Sequence, residues 1–218
     1  MKRLFPAVLT AFFLFVPPAR AQTDGFGIYP LDEAVRRRIT GVSFPSGADA
    51  RIAYGDLRLI RVRHYGFDGK VGNGELICAA DAAPKILAVF RELFENKYEI
   101  EKIKLIDDYG ANDEKSMTDN NTSCFNYRLI AGSKKLSNHS FGRAVDLNPL
   151  YNPYVKIKAD RVVVSPTAGK PYADRTRSFA RKIDADDLAV KVFKKHGFVW
   201  GGDWKSVKDY QHFELPEK

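Results

Sequence analysis

Strand-like and helix-like patterns are segregated along this chain, and that order limits its fold more than any other feature. Strands are predicted where β-branched and aromatic residues cluster between turn-forming residues, at 57–65, 75–79, 102–106 and 125–130. In the first of these, the apolar face switches at Leu59-Ile60, which predicts a bulge. Because strands and helices do not alternate regularly, the order favours an α+β fold with a small antiparallel sheet flanked by helices.

Three helices are predicted from caps and apolar stripes. A short one covers 32–39, and a longer one runs from a cap at Asp81 to about Asn96. The third has Asp184 as its expected cap and ends at Gly197, since glycine is the usual residue after a helix. We expect the longer helix, which carries an apolar stripe, to be core scaffold.

The first 21 residues have the organisation of a secretory signal. Lys2 and Arg3 precede an apolar run that ends at Val16, and the small-residue pattern at 19–21 is typical of a cleavage site. The run is short for a membrane span. We therefore expect a signal peptide at 1–21 and an exported protein, either periplasmic or extracellular at the cell wall, without a transmembrane segment in the mature chain.

Size and composition suit one domain with its own core. A chain of 218 residues that is 44% hydrophobic and contains 16 Gly and 11 Pro is neither disordered nor collagen-like. We expect an N-terminal arm at 22–56, a folded domain at 57–218 and a monomer. Loss of the signal lowers the formal charge from +8 to +5. That modest charge on an exported protein argues against nucleic acid, and it fits either an anionic wall polymer or a solvated basic face.

Cys78 and Cys124 are too few for a disulfide scaffold or a four-thiolate zinc site. In an oxidising compartment the two could pair in a disulfide. A metal ion must therefore be held mainly by histidine and carboxylate.

Two of the four histidines lie in clusters that suit a metal site. His64 and His196 fit structural roles, whereas His139 precedes Asp146 by seven residues and His212 lies in a second polar cluster downstream. A hydrolytic zinc ion needs three protein ligands and one open position, and histidine nitrogens with one carboxylate are a standard set. His139, Asp146 and His212 are the predicted ligands.

These clusters resemble the zinc D,D-peptidases of the VanX and VanY type, including D-alanyl-D-alanine carboxypeptidases and phage L-alanyl-D-glutamate endopeptidases. The shared signature is S-x-H-x-x-G-x-A-x-D, followed far downstream by a carboxylate, two residues and His. The resemblance extends from about Leu57 to the carboxyl end, and it implies a fold like that of these peptidases and of the hedgehog amino-terminal domain. It also implies one zinc ion on His139, Asp146 and His212, with Asp209 as catalytic base and Arg128 as stabilising cation.

The chemistry follows from general principles. Zinc lowers the pKa of its water from about 15.7 to about 7, Asp209 would accept the proton of that water, and Arg128 would help to stabilise the oxyanion. Simpler roles are acceptance by Asp209 of a hydrogen bond from a His212 ring N–H, and a surface position for Arg128. Glu214 competes with Asp209 for both of its roles, and Ser137 and Glu214 are candidates for supporting contacts around the ligands.

The sequence therefore predicts an exported zinc metallopeptidase that cleaves an amide in the stem peptide of peptidoglycan. Two specificities stay open: removal of a terminal D-alanine, and cleavage between L-alanine and D-glutamate. The alternative is a non-catalytic, zinc-bearing module that binds the cell wall. The presence of Asp209 and Arg128 favours the enzyme.

Overall fold

The structure is a computed structural model that describes residues 24–47 and 50–216. The predicted signal peptide lies outside the described residues. None of the helices in the described ranges is both long and apolar enough to cross a membrane. The helices are α1 (Glu33–Ile39), α2 (Ala83–Glu95), α3 (Asp113–Thr118) and α4 (Leu188–Lys195). The strands are β1 (Gly27–Pro30), β2 (Leu57–Tyr65), β3 (Val71–Ala79), β4 (Lys102–Ile103), β5 (Asn121–Thr122), β6 (Ala144–Asp146), β7 (Tyr154–Ile157), β8 (Val162–Ser165), β9 (Val199–Trp200), β10 (Lys208–Asp209) and β11 (His212–Glu214).

These strands form several small sheets rather than one. Within the described residues, the sheets β1-β2-β3, β10-β7-β8 and β6-β11-β9 are antiparallel, and β4 and β5 form a parallel pair. The predicted α+β class is confirmed. The predicted single small sheet is divided into separate sheets, two of which supply side chains to the candidate site described below.

The predicted bulge in β2 is absent. Pairing with β3 continues without interruption from Leu57 opposite Ala79 to Tyr65 opposite Val71. Leu59 and Ile60 are both buried because the hairpin is covered on its two faces: Ile60 packs in the cluster that includes residues of α2 and α4, and Leu59 packs in a second cluster with residues of the N-terminal segment. The switch of apolar face therefore reflects a sheet between two cores.

Two predicted helix caps are wrong by a few residues. Ala82 rather than Asp81 precedes α2, because the Asp81 carboxylate instead accepts two hydrogen bonds from Arg143 at 2.8 and 2.9 Å. Asp187 rather than Asp184 caps α4, where its side chain accepts a hydrogen bond from the Ala189 N–H at 2.7 Å. The 32–39 helix and the glycine stop after α4 are confirmed.

The predicted strand at 125–130 is not formed, and this difference matters for the site. The backbone N–H of Asn126 donates to the His139 carbonyl at 3.1 Å, and the Arg128 N–H donates to the Ser140 hydroxyl at 2.9 Å. The segment therefore wraps around the turn that carries His139 instead of joining a sheet.

Candidate metal centre and active site

Three secondary-structure elements bring the predicted ligands together. His212 on β11 lies directly opposite Asp146 on β6. Side chains of directly opposed residues in an antiparallel pair project from the same face. His139 comes from the single 3₁₀ turn Asn138–Phe141, which Ser137 caps by accepting a hydrogen bond from the His139 N–H at 3.3 Å.

Gly142 ends this turn and allows it to lie close to β3. Its φ is +63°, a conformation that other residues rarely adopt. A Cβ at this position would lie 2.5 Å from the backbone nitrogen of Ala79. The glycine of the signature is therefore required by backbone shape and by space.

The side chains of the three candidate ligands form a triangle, in which the two imidazoles contact different oxygens of the Asp146 carboxylate. His139 Nε2 is 3.2 Å from His212 Nδ1 and 3.3 Å from Asp146 Oδ2, and His212 Nδ1 is 3.1 Å from Asp146 Oδ1. All three residues are buried, and this group could hold a metal ion. A tetrahedral zinc ion with ligands at about 2.0–2.1 Å separates its ligand atoms by roughly 3.3 Å. Each of the three contacts is close to that separation, so the three residues suit zinc.

Hydrogen bonds on the far side of each ring determine which nitrogens face the triangle. His139 Nδ1 lies 2.5 Å from the carbonyl oxygen of Cys124, and His212 Nε2 lies 2.9 Å from Glu214 Oε2. Both partners are acceptors, so each of these nitrogens carries a hydrogen in the neutral ring. His139 Nε2 and His212 Nδ1 therefore present lone pairs to a carboxylate, an arrangement that a cation satisfies.

The pKa values of the metal-free ligand group also favour the binding of a cation. Burial lowers the pKa of His212, but its hydrogen bonds to Asp146 and Glu214 raise that pKa to about 10. Burial raises the pKa of Asp146, but His139 and His212 hold it well below its usual range. The cluster thus attracts a positive charge, either a proton or a metal ion.

Glu214 supports the site from outside the triangle. Besides its contact with His212, its Oε2 accepts a hydrogen bond from Asn138 Nδ2 at 2.6 Å, and Asn138 precedes His139. One carboxylate thereby links the two histidine-bearing segments. The contact with His212 that could have belonged to Asp209 is made by Glu214.

Asp209 lies on β10 close to the triangle. Its Oδ1 is enclosed and has no hydrogen-bond partner among the described residues. Burial raises the pKa of Asp209 to about 6, with the nearby charges of His212 and Asp146 acting in opposite directions. A Cβ on Gly201 would lie 2.5 Å from the Asp209 carbonyl oxygen and 3.2 Å from the His212 Cβ, so this glycine lets the two segments pack closely.

The backbone of Arg128 is hydrogen-bonded to the turn that carries His139, whereas its side chain forms an ion pair outside the ligand group. Its carbonyl accepts hydrogen bonds from the Ser137 N–H at 3.0 Å and the Ser140 hydroxyl at 2.8 Å. Its guanidinium forms an ion pair with Asp113, and both side chains are about one-third exposed. Sequence patterns do not identify Asp113, which lies in a polar stretch far from both histidine clusters, nor the contact of Asn138 with Glu214.

The two cysteines are buried free thiols, so the expected Cys78–Cys124 disulfide is not formed in this structure. Cys124 Sγ instead lies 3.7 Å from the Gly142 carbonyl oxygen, while the Cys124 backbone holds His139. Burial raises the pKa of both thiols, which keeps them protonated.

Residues 131–215 match a protein family described as D-alanyl-D-alanine carboxypeptidase. The matched segment contains the three candidate ligands, Asp209 and Glu214. It begins after Arg128 and is shorter than the resemblance expected from Leu57 onward. The resemblance to these peptidases is confirmed, over a matched segment that is less than half of the chain.

A second comparison points to one relative in that class. The chain is 58% identical over 26 residues to the peptidoglycan L-alanyl-D-glutamate endopeptidase CwlK of Bacillus subtilis (strain 168). The match covers 12% of this chain and 16% of that protein. No solved structure gives a significant match, so the likeness to a hedgehog or D,D-peptidase fold stays a prediction.

Proposed function

We propose that this protein is an exported zinc peptidase that hydrolyses an amide bond in the stem peptide of peptidoglycan. The observation that carries the proposal is that two imidazole nitrogens lie 3.2 Å from each other and 3.1–3.3 Å from the oxygens of the Asp146 carboxylate. The family match and the endopeptidase relative support the substrate class.

Different residues of this chain have different roles in the proposed hydrolysis. A zinc ion on the triangle would supply Lewis acidity, which acidifies water and polarises the amide carbonyl. Asp209 accepts a proton from the attacking water and returns it to the leaving amine, a role that suits an enclosed carboxylate beside the ligands whose pKa is raised by burial in the metal-free protein. The Cys124 carbonyl and Glu214 keep the two imidazoles in the ligating tautomer.

Arg128 is the proposed cation near the developing oxyanion. Its backbone forms three hydrogen bonds with Ser137 and Ser140 around the His139 turn, while its guanidinium forms an ion pair with Asp113. Substrate binding would have to compete with that ion pair. The role of Arg128 therefore depends on a movement of its side chain toward the triangle.

The Oδ1 atom of Asp209, which has no hydrogen-bond partner among the described residues, favours catalysis over a purely binding role. A binding module gains nothing from an enclosed carboxylate oxygen without a hydrogen bond, whereas a general base needs a free lone pair and a raised pKa. The non-catalytic wall-binding module stays the second candidate. Both D-alanine removal and cleavage between L-alanine and D-glutamate are compatible with the proposal.

A muropeptide digest tests the function and its specificity together. The purified protein is incubated with muropeptides, with and without a chelator, and the products are weighed by mass spectrometry. We expect loss of either one D-alanine or a longer peptide, abolished by the chelator and restored by zinc. Asp209→Asn should remove activity and keep zinc, whereas His212→Ala should lose both. Wall binding without released fragments would favour the second candidate.

Export is tested by sequencing the amino terminus of the protein recovered from outside the cytoplasm. The predicted cleavage after Ala21 gives a mature chain that begins at Gln22. Recovery of the protein with its first 21 residues intact would contradict this part of the proposal.

A further inference from the structure

Tyr154 lies between Asp209 and Ser165 in a row across the β10-β7-β8 sheet. Tyr154 is paired with Asp209 on one side and with Ser165 on the other. Directly opposed residues of antiparallel strands project their side chains from the same face. The phenol of Tyr154 therefore stands on the face of the sheet that carries the Asp209 carboxylate.

The other end of this row reaches the surroundings of Arg128. Ser165 Oγ lies 3.5 Å from Glu114 Oε2 at the start of α3, and the Thr167 N–H donates to Glu114 Oε1 at 2.6 Å. Glu114 follows Asp113, the ion-pair partner of Arg128. The row therefore runs from the proposed base to the segment that holds the proposed cation, with Tyr154 at its centre.

The hydroxyl of Tyr154 is available as a donor. Tyr154 is half-buried, and its O–H has no hydrogen-bond partner in residues 24–47 and 50–216. Burial and the negative charge of Asp209 raise its pKa above the ordinary value, so the phenol keeps its proton at neutral pH. By contrast, Tyr151 on the same segment packs against the rings of Phe67 and Tyr172.

We propose that the Tyr154 O–H contacts the substrate and donates a hydrogen bond to the carbonyl oxygen of the scissile amide. This inference rests on the proposed hydrolysis. The water oxygen adds to the carbonyl carbon while the C=O π pair moves to oxygen, and Tyr154 stabilises that charge without losing its proton. The C=O bond then re-forms as the C–N bond breaks, and the amine leaves with the proton that Asp209 took from water. A donor at Tyr154 is useful here because Asp113 already compensates the charge of Arg128.

The test compares Tyr154→Phe with Tyr151→Phe in the zinc-loaded protein, on the muropeptide that wild type cleaves. We expect Tyr154→Phe to lower kcat by about 100-fold with little change in KM, since loss of one oxyanion donor has this typical effect. Zinc content and Tm should stay at wild-type values. Tyr151→Phe should keep full activity, because the ring contacts of Tyr151 do not need its hydroxyl.

The affinity for a phosphinate analogue of the tetrahedral state distinguishes a direct contact of Tyr154 with substrate from a purely structural role. This affinity should fall with kcat in Tyr154→Phe, while the affinity for the cleaved product stays unchanged. Activity within threefold of wild type, or a loss of zinc or Tm in Tyr154→Phe that accounts for the defect, overturns the proposal for Tyr154 alone. An inactive wild type overturns the proposed function as well.

Discussion

Glu214 contacts His212 on the ring edge opposite to Asp146. The Glu214 Oε2 lies 2.9 Å from His212 Nε2, while His212 Nδ1 lies 3.1 Å from Asp146 Oδ1. A carboxylate behind a ligating histidine fixes its tautomer and its orientation and makes the facing nitrogen a better ligand. Glu214 therefore acts on the metal centre through another residue, and its removal should be visible as a change in metal affinity.

We expect Glu214→Gln to weaken zinc binding by about 10- to 100-fold, because the amide is a poorer acceptor for the His212 N–H and carries no charge. Competition with a calibrated zinc chelator measures the change. Activity should return at saturating zinc. Glu33→Gln, on the exposed side of α1, is the matched control and should leave zinc affinity unchanged.

Equal zinc affinity of Glu214→Gln and wild type would show that the contact does not support the ligand. Persistent inactivity of Glu214→Gln at full zinc occupancy would point instead to a direct role of Glu214 in proton transfer, in competition with Asp209.

Gly142→Ala should destabilise the protein and weaken its metal site. The substitution places a Cβ 2.5 Å from the Ala79 nitrogen at a residue with φ of +63°. We expect a loss of about 1–3 kcal/mol in the free energy of unfolding from backbone strain, with an added cost from the clash. Gly69→Ala is the control, because Gly69 has φ of +74° and open space around it.

Urea unfolding of both variants separates the two contributions. Gly69→Ala should show the strain alone, and the excess loss in Gly142→Ala reports the contact with β3. Equal losses in the two variants would mean that the His139 turn can move away from Ala79 at no cost.

The signature residues around His139 could be predicted from sequence because their spacing is local. Seven residues separate His139 from Asp146, and a turn ended by Gly142 is enough to aim both side chains inward. The pairing of Asp146 with His212 is a contact between segments that are distant in sequence. The family resemblance implies it, whereas periodicity does not. The assignment of Glu214 to the His212 ring and of Asp113 to Arg128 depends on contacts between distant segments, which no local pattern encodes.

Errors in the predicted elements have the same origin. A strand with two buried faces and a bulged strand have the same local pattern, so the apolar switch at Leu59 and Ile60 predicts a bulge that the structure does not contain. Aspartate is a common helix cap, but the Asp81 carboxylate accepts hydrogen bonds from Arg143, which is distant in sequence. The segment 125–130 has strand-like residues, but its hydrogen bonds are taken by the His139 turn. In each case a long-range contact overrides a local propensity.

Cys78 and Cys124 should behave as inert thiols in the folded protein. Both are buried, and burial raises the pKa of each thiol, so little thiolate is available to react. We expect no reaction with a thiol-specific disulfide reagent under native conditions and two equivalents after unfolding. Intact mass under non-reducing conditions is the independent check. A mass lower by two hydrogens in exported material would show that the two cysteines pair after all.

The stability of the metal-free protein should depend on Asp209 in a pH-dependent way. Burial raises the pKa of this carboxyl from 3.8 to about 6 in the folded chain. Between these values the unfolded chain loses its proton first, so the stability contributed by protonated Asp209 is present below about pH 4 and is lost as the pH rises through about 6. Asparagine does not titrate. Asp209→Asn should therefore exceed wild type by about 1–3 kcal/mol in the free energy of unfolding at pH 8, with a smaller difference at pH 4. Urea unfolding in the presence of a chelator measures both. A difference independent of pH would mean that Asp209 is solvated in the folded protein and is not held ready as a base.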